Sequence, residues 1–180
     1  MRRTHIRTVS IWKNDCSDRR AFGYSSENLL TAAGGPSSAT LAYDPLLRLR
    51  QVTGAATTQF AYDGLAMIAE YDGAGSLLRR YVHGPGADEP LVQYEGAGIT
   101  DRRWLHADER GSVVAISDAT GNAITINRYD EYGKPQTTNA GRFGYTGQMW
   151  LSEVGLNYYK ARMYAPQLGC RLINAQPQAH

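Results

Sequence analysis

Short runs rich in apolar and aromatic residues recur along the chain between polar segments, a pattern typical of β-strands. Segments rich in Gly and Asp, such as residues 117–122, separate these stretches and indicate turns. The stretches lie at residues 59–62, 67–71, 77–82, 112–116 and 123–129. The pattern predicts an all-β fold, a ribbon of serial β-hairpins.

A helical period is scarce in this sequence. The strongest helical candidate is residues 150–162, but Gly155 and the cluster at 157–159 disfavour a helix there. We therefore expect strands or irregular turns in this stretch. Residues 34–38 and 84–90 are interpreted as loops between hairpins.

A repeat of fixed period runs through the first half of the chain. Tyr24, Tyr43 and Tyr62 are 19 residues apart, and Asp follows the second and third of them. A tyrosine can end a strand with a half-buried ring, and an aspartate turns the chain by accepting hydrogen bonds from downstream amides. Each Tyr-Asp unit therefore predicts a strand, a turn and a second strand. The residues that define these units are Tyr43, Asp44, Tyr62, Asp63, Tyr71, Asp72, Tyr129, Asp130 and Gly133.

Composition and charge support this prediction and narrow the function. The chain has 12 Tyr and 19 Gly, residues that favour strands joined by tight turns. Its formal net charge is only +2 and its basic residues are scattered, so the sequence shows no nucleic-acid-binding stripe. Cys16 and Cys170 match no metal-binding spacing. We find neither a signal-peptide pattern nor an apolar run of membrane-spanning length.

One group of polar residues resembles part of a nucleophilic triad. His106, Asp108 and Ser112 lie close together, but no Gly-x-Ser-x-Gly elbow accompanies them. On a strand, His106 and Asp108 would share a face, whereas Ser112 would follow a turn through Gly111. We favour the interpretation that these residues form a polar hairpin.

Adjacent carboxylates occur at residues 88–89 and 108–109. Neighbouring residues on a strand face opposite ways, so neither pair converges on a metal ion. His83 and Asp88 are the neighbours that merit a second inspection. We expect no catalytic residues, no cofactor and no metal site.

Five ordered motifs resemble the RHS/YD-repeat family, including its RHS repeat-associated core. The motifs lie at residues 81–91, 105–112, 127–133, 142–148 and 155–164, and the last continues to Gly169. The resemblance covers about residues 22–169. The core-motif residues are Gly111, Ser112, Arg142, Phe143, Tyr145, Gly147, Tyr158, Tyr159, Arg162, Tyr164, Pro166 and Gly169.

The resemblance implies a ribbon of β-hairpins that spirals into a hollow shell, which in bacterial members encloses a C-terminal toxin or effector. It divides the chain into a poorly anchored leader (1–21), YD-type repeats (22–82), the core (83–169) and a divergent truncated tail (170–180). We expect a non-enzymatic structural segment, truncated before the effector and incomplete as a shell on its own. The parent would be secreted or on the cell surface, and this chain would stay in the cytoplasm until exported.

The sequence departs from the family pattern at three positions. Gln176 stands where an aspartate of the self-cleavage site is expected, and an amide cannot act as the required acid or base. We therefore expect no self-cleavage. Cys170 looks inserted. Leu47 occupies the glycine position of the Tyr-Asp turn, where a positive φ would cost a leucine on the order of 1 kcal/mol.

An alternative function is a carbohydrate- or cell-surface-binding module. Exposed tyrosine rings suit sugar rings, but the same rings could pack between successive hairpins. The partners expected are the remainder of an RHS shell or its effector, with cell-surface glycan as the alternative. Open strand edges predict self-association. We expect no nucleic-acid partner and no membrane span.

Overall fold

The computed structural model describes residues 7–10, 21–35, 38–160 and 162–172. Their regular structure is almost entirely antiparallel β-strand, which confirms the all-β prediction. Two short 3-10 helices, Tyr145–Gly147 and Pro166–Leu168, interrupt the strands. No helix in these residues is long and apolar enough to cross a membrane.

Twelve strands form the first sheet, in which each strand pairs with its neighbours in sequence. The sheet is therefore an open ribbon of serial hairpins, as predicted. Its strands are β1 (Arg7–Ser10), β2 (Ala21–Tyr24), β3 (Leu30–Ala33), β4 (Ala39–Tyr43), β5 (Leu49–Thr53), β6 (Thr57–Asp63), β7 (Ala66–Asp72), β8 (Leu77–His83), β9 (Pro90–Glu95), β10 (Arg102–Ala107), β11 (Val113–Ser117) and β12 (Ala123–Ile126).

Four further strands form a second sheet in the same serial order. They are β13 (Met149–Leu151), β14 (Leu156–Tyr159), β15 (Arg162–Ala165) and β16 (Cys170–Leu172). The first three occupy the region around residues 150–162, so the expectation of strands rather than a helix is confirmed.

One turn design recurs six times in the described residues, five times along the ribbon and once after β12. A side-chain oxygen of the first turn residue accepts hydrogen bonds from the amides two and four positions later. The residue three positions later has a positive φ, and its amide donates to the carbonyl of the first residue. The first residues are Ser25, Asp44, Asp72, Asp108, Asp118 and Asp130. The role predicted for the aspartate of a Tyr-Asp unit is confirmed at three of these turns, those of Asp44, Asp72 and Asp130.

Leu47 occupies the positive-φ position of the Asp44 turn, with φ 62°. The condition stated for this position, a positive φ, is therefore met, and its cost in stability stays a prediction. The hairpin after Tyr62 differs, because Asp63 pairs directly with Ala66 and Gly64 takes the positive φ. A Tyr-Asp pair thus predicts a hairpin but does not fix the turn type.

The repeat tyrosines pack between hairpins. The strand register shifts beside Tyr24, Tyr43 and Tyr62, as expected for a β-bulge. The Tyr43 hydroxyl donates to the Leu30 carbonyl at 2.9 Å, and the Tyr62 hydroxyl donates to the Leu49 carbonyl at 2.8 Å. The packing interpretation is confirmed at these two positions, although the hydroxyls bond to backbone instead of facing water.

The hydrophobic core lies between the second sheet and one face of the ribbon. Leu49 and Val52 from the ribbon and Leu151 and Leu156 from the second sheet are at most 1% exposed, and they belong to one buried cluster. The two sheets therefore fold around a common core.

Part of the predicted leader forms β1, which pairs with β2 from Arg7 opposite Tyr24 to Ser10 opposite Ala21. No sequence pattern predicted a strand there. Cys16 and Gln176 lie outside the described residues, and Cys170 begins β16 opposite Ala165. The division into domains stays a prediction.

Candidate functional site

Most of the core-motif residues converge where residues 142–165 contact one face of the ribbon. We call this contact the seam. It is the candidate functional site because most of the residues singled out in the sequence meet there.

An ion pair lies at the centre of the seam. Glu70 of β7 is 0% exposed, and Arg142 is 9% exposed. The Nε and Nη2 atoms of Arg142 donate to Glu70 Oε2 at 3.2 and 3.1 Å. Arg142 Nη1 donates to the Trp150 carbonyl at 3.1 Å and to the Glu153 carboxylate at 3.2 Å. Arg142 thus joins the ribbon to the second sheet.

Two further side chains contact Glu70. The Tyr81 hydroxyl donates to Glu70 Oε1 at 2.5 Å, and Arg79 Nη1 lies 3.6 Å from Glu70 Oε2. Burial and the negative charge of Glu70 hold the pKa of Tyr81 well above its usual value. Burial alone would lower the pKa of Arg142, but Glu70 and Glu153 raise it above its ordinary value. Tyr81 therefore stays a neutral donor and Arg142 stays charged.

Aromatic rings pack beside this ion pair. The Phe143 ring lies 4.9 Å from the Tyr81 ring and 5.3 Å from the His83 ring, both in edge-to-face geometry. The Tyr158 hydroxyl accepts a hydrogen bond from the Leu49 amide at 2.9 Å. Two core-motif residues thus hold strands of the ribbon.

The segment that follows β12 packs against the seam as well. The Tyr145 ring lies 5.9 Å from the Tyr129 ring and covers Gly133 so closely that a Cβ there would clash. The Tyr164 hydroxyl donates to the Tyr132 carbonyl at 2.8 Å. Gly133 is therefore needed both for its positive φ and for this close approach.

The 3-10 turn Tyr145–Gly147 is tied to both sheets. The Thr146 amide donates to Ser112 Oγ at 3.1 Å, and Thr146 Oγ1 lies 2.6 Å from the Tyr159 hydroxyl. Ser112 is 1% exposed. Ser112 and Tyr159 thus position the turn.

A salt bridge closes one end of the seam. Lys160 Nζ lies 2.6 Å from Asp88 Oδ1, and both residues have a positive φ. Gly147 approaches the Asp88 carbonyl so closely that any Cβ would overlap it. Asp88 and Lys160 lie in the motifs at residues 81–91 and 155–164, but no sequence signal indicated that they pair.

The remaining core-motif residues are Gly111, Gly169, Pro166 and Arg162. Gly111 is the positive-φ residue of the Asp108 turn, and Gly169 ends the second 3-10 helix in the left-handed conformation. Pro166 is fully buried at the start of that helix. Arg162 begins β15 and is exposed, so it does not take part in the seam.

His106, Asp108 and Ser112 are not assembled as a triad. His106 Nε2 bonds to Ser117 Oγ at 2.9 Å, whereas Asp108 Oδ1 accepts from the Ser112 amide at 2.8 Å. The side chain of Ser112 accepts from Thr146 instead of facing an imidazole. The three residues belong to a polar hairpin and its contacts.

His83 and Asp88 also have separate partners. His83 Nε2 lies 2.8 Å from the Met67 carbonyl, and Asp88 pairs with Lys160. Within the part of the chain that the structure describes, no three His, Cys, Asp or Glu side chains are grouped to hold a metal ion.

A cavity of about 280 Å³ lies beside the seam. Its apolar wall includes Met67, Phe143 and Met149, and its polar rim includes the Asp88–Lys160 pair. These two charges neutralise each other, and the lining also includes Asp63 and His83.

The seam also includes Glu70 and Tyr81, whose roles the sequence did not predict. Glu70 has the appearance of an ordinary polar position at the end of an apolar run. Tyr81 continues the 19-residue series after Tyr62, which is the signal that could have identified it.

No protein-family model matches the chain. The chain is 29% identical over 170 residues to the tRNA nuclease WapA of Bacillus subtilis strain 168, and 30% identical to the tRNA(Glu)-specific nuclease WapA of Bacillus subtilis subsp. natto. Each match covers 87% of this chain but only 7% of the relative. The chain therefore spans a small part of these curated relatives.

A similar fold occurs in a solved structure, the crystal structure of TcdB2-TccC3-Cdc42. The TM-score is 0.63 at 15% sequence identity, and the match covers 86% of this chain and 9% of that chain. At this identity the likeness concerns the fold alone. Together with the ribbon of serial hairpins, it supports an RHS-like fold for this chain.

Proposed function

We propose that the chain is a non-enzymatic structural segment of an RHS/YD-repeat shell, one that encloses or displays a C-terminal toxin or effector. The observation that carries this proposal is the seam, where the core-motif side chains join the second sheet to the ribbon around the buried Glu70–Arg142 pair. An active site would direct such polar groups towards an open pocket.

The curated relatives support a structural role for this segment, with the activity located elsewhere in the protein. They are named as tRNA nucleases, yet this chain matches only 7% of their length. Fold likeness does not transfer an activity, which resides in specific sites. We propose that the matched segment supplies scaffold, that an effector lies elsewhere in a parent protein, and that the rest of the shell is its partner.

The carbohydrate-binding alternative has less support from the geometry. It requires tyrosine rings that face solvent with free hydroxyls. The hydroxyls of Tyr43, Tyr62 and Tyr129 instead donate to backbone carbonyls. The repeat tyrosines therefore serve packing, which favours the structural proposal.

A segment exchange tests the proposal. Residues 22–169 would replace the matching segment of Bacillus subtilis WapA, and resistance of the purified chimera to limited proteolysis would be compared with that of the unaltered protein. We expect equal resistance, and loss of resistance with Arg142→Ala. Arg110→Ala, at an exposed turn position, is the matched control.

Two results would contradict the proposal. One is a chimera that is cut throughout the exchanged segment, although the isolated chain melts cooperatively. The other is a stable isolated chain that binds a defined glycan on an array, which would favour the binding module.

A further inference from the structure

Six side chains form a grid on the ribbon face that the second sheet leaves uncovered. Directly paired residues share a face of a sheet, and residues two apart on a strand do so as well. Tyr81, which contacts the seam, lies between two grid positions of β8 and so faces the other way. We call the grid the open-face patch. Its first row is Arg80, Tyr94 and Arg102, and its second row is Val82, Val92 and Trp104.

The patch combines cations with aromatic rings. The Arg80 guanidinium lies 5.6 Å from the centre of the Tyr94 ring, and that of Arg102 lies 4.9 Å from the Trp104 ring. Trp104 is 39% exposed and Val82 is 49% exposed. Exposed Trp, Tyr and Arg side chains are the residue types that dominate protein-binding surfaces.

The charges of the two ribbon faces differ. On the seam face, Arg79 and Arg103 both reach the Glu95 carboxylate, at 3.0 and 2.9 Å. Within the described part of the chain, neither Arg80 nor Arg102 has a carboxylate at ion-pair distance. The buried Nε atoms of Arg80 and Arg102 also have no acceptor among these residues. The open-face patch therefore carries positive charge that a ligand can neutralise.

We propose that the open-face patch docks an acidic segment of a partner polypeptide, in which Asp or Glu residues stand beside aromatic or aliphatic ones. The two arginines would accept the carboxylates, while Trp104 and Val82 would pack against the apolar side chains. A polysaccharide would place hydroxyls against the valines without hydrogen-bond partners. A nucleic acid calls for a longer basic stripe than two arginines. This role goes beyond the proposed shell function, which rests on the opposite face.

The test measures binding of a fluorescein-labelled random copolymer of Glu and Tyr to the full chain by fluorescence anisotropy. We expect saturable binding that weakens with salt, because the attraction is electrostatic. Arg102→Glu should weaken copolymer binding by about tenfold or more, because the attraction between residue 102 and the ligand carboxylates becomes a repulsion. Arg50→Glu, at an exposed position of β5, is the matched control and should leave binding unchanged.

A chain that does not bind the copolymer, or that binds it equally after Arg102→Glu and Arg50→Glu, would overturn the proposal. Heparin and a single-stranded oligonucleotide are the competing probes. Tighter binding of either one, lost with Arg102→Glu, would overturn the assignment to a polypeptide.

Arg102→Gln removes the charge without reversing it. An unchanged melting curve for this variant, together with weakened binding, would separate loss of docking from loss of fold.

Discussion

Glu70 is fully buried, so the stability of its charged form depends on its neighbours. A fully buried carboxylate is stable only with charged and hydrogen-bonding partners, and Arg142, Tyr81 and Arg79 provide them. Removal of one partner leaves the remaining charge without compensation. Stability should therefore depend strongly on this set of residues.

Arg142→Ala should lower the free energy of unfolding by about 3–5 kcal/mol, the range for breaking a buried ion pair. Arg142→Lys should recover only part of this loss, because an ammonium cannot reproduce the forked contacts to Glu70 and Glu153. Urea unfolding followed by circular dichroism measures the effect. Arg110→Ala is the control, and equal midpoints for Arg142→Ala and Arg110→Ala would contradict the role given to the pair.

Buried tyrosines predict a loss of stability at alkaline pH. Burial raises the pKa of Tyr24 and of Tyr129 to about 12, above that of an exposed tyrosine. Below the unfolded pKa both states keep the proton. At higher pH the unfolded state loses it first, so the free energy of unfolding falls until the pH has passed the folded pKa.

Urea unfolding at increasing pH, with phenolate absorbance recorded in parallel, checks this dependence. Tyr129→Phe should make the alkaline decline less steep, and Tyr132→Phe, at an exposed ring, is the control. A decline that is unchanged by Tyr129→Phe would show that burial of this ring does not contribute.

At the scale of the element, the repeated turn fixes most of the architecture. Its side-chain oxygen satisfies two amides, and its fourth residue adopts a positive φ. Glycine or asparagine suits that position, whereas the leucine at 47 is strained. The Asp44 turn is therefore a site where stability can be gained.

Leu47→Gly should raise the free energy of unfolding by about 1 kcal/mol, because it relieves the cost of a left-handed conformation. Its neighbour Leu46 is also exposed but has no positive φ, so Leu46→Gly is a matched control that should give no gain. Thermal melts of both variants measure the difference. Equal effects would mean that the φ of residue 47 carries no strain.

Hairpins and turns could be predicted from the sequence because their signals are local. Short apolar runs between polar turn segments predict the strands. The Asp44 and Asp130 turns are closed by hydrogen bonds within five residues. The seam could not be predicted in this way, since Glu70 and Arg142 are 72 residues apart and neither has an unusual local pattern. The resemblance to a family identified Arg142 as a core-motif residue but not its partner.

At the scale of the whole molecule, exposed apolar side chains and a low net charge predict self-association. Ile124 and Ile126 of β12 are 48% and 53% exposed, and the formal net charge is +2. We expect larger species at higher concentration in size-exclusion chromatography with light scattering. Ile126→Lys should shift the chain towards monomer, because a charge on an outer strand opposes edge pairing.

Ile99→Lys is the control, since Ile99 is 73% exposed in a loop between strands. Equal shifts with Ile99→Lys and Ile126→Lys would mean that charge alone, and not β12, sets the association. A chain that stays monomeric at every concentration would contradict the prediction.

The strictly sequential pairing of the ribbon has a consequence for biogenesis. Each hairpin needs only the residues just before it, so the ribbon can form step by step while the chain is being synthesised. Glu70 is a partial exception, because Arg79 follows it closely but Arg142, which donates two hydrogen bonds to it, emerges from the ribosome only 72 residues later. Until then this carboxylate must remain hydrated, and completion of the second sheet is the step that commits the nascent chain to its final fold.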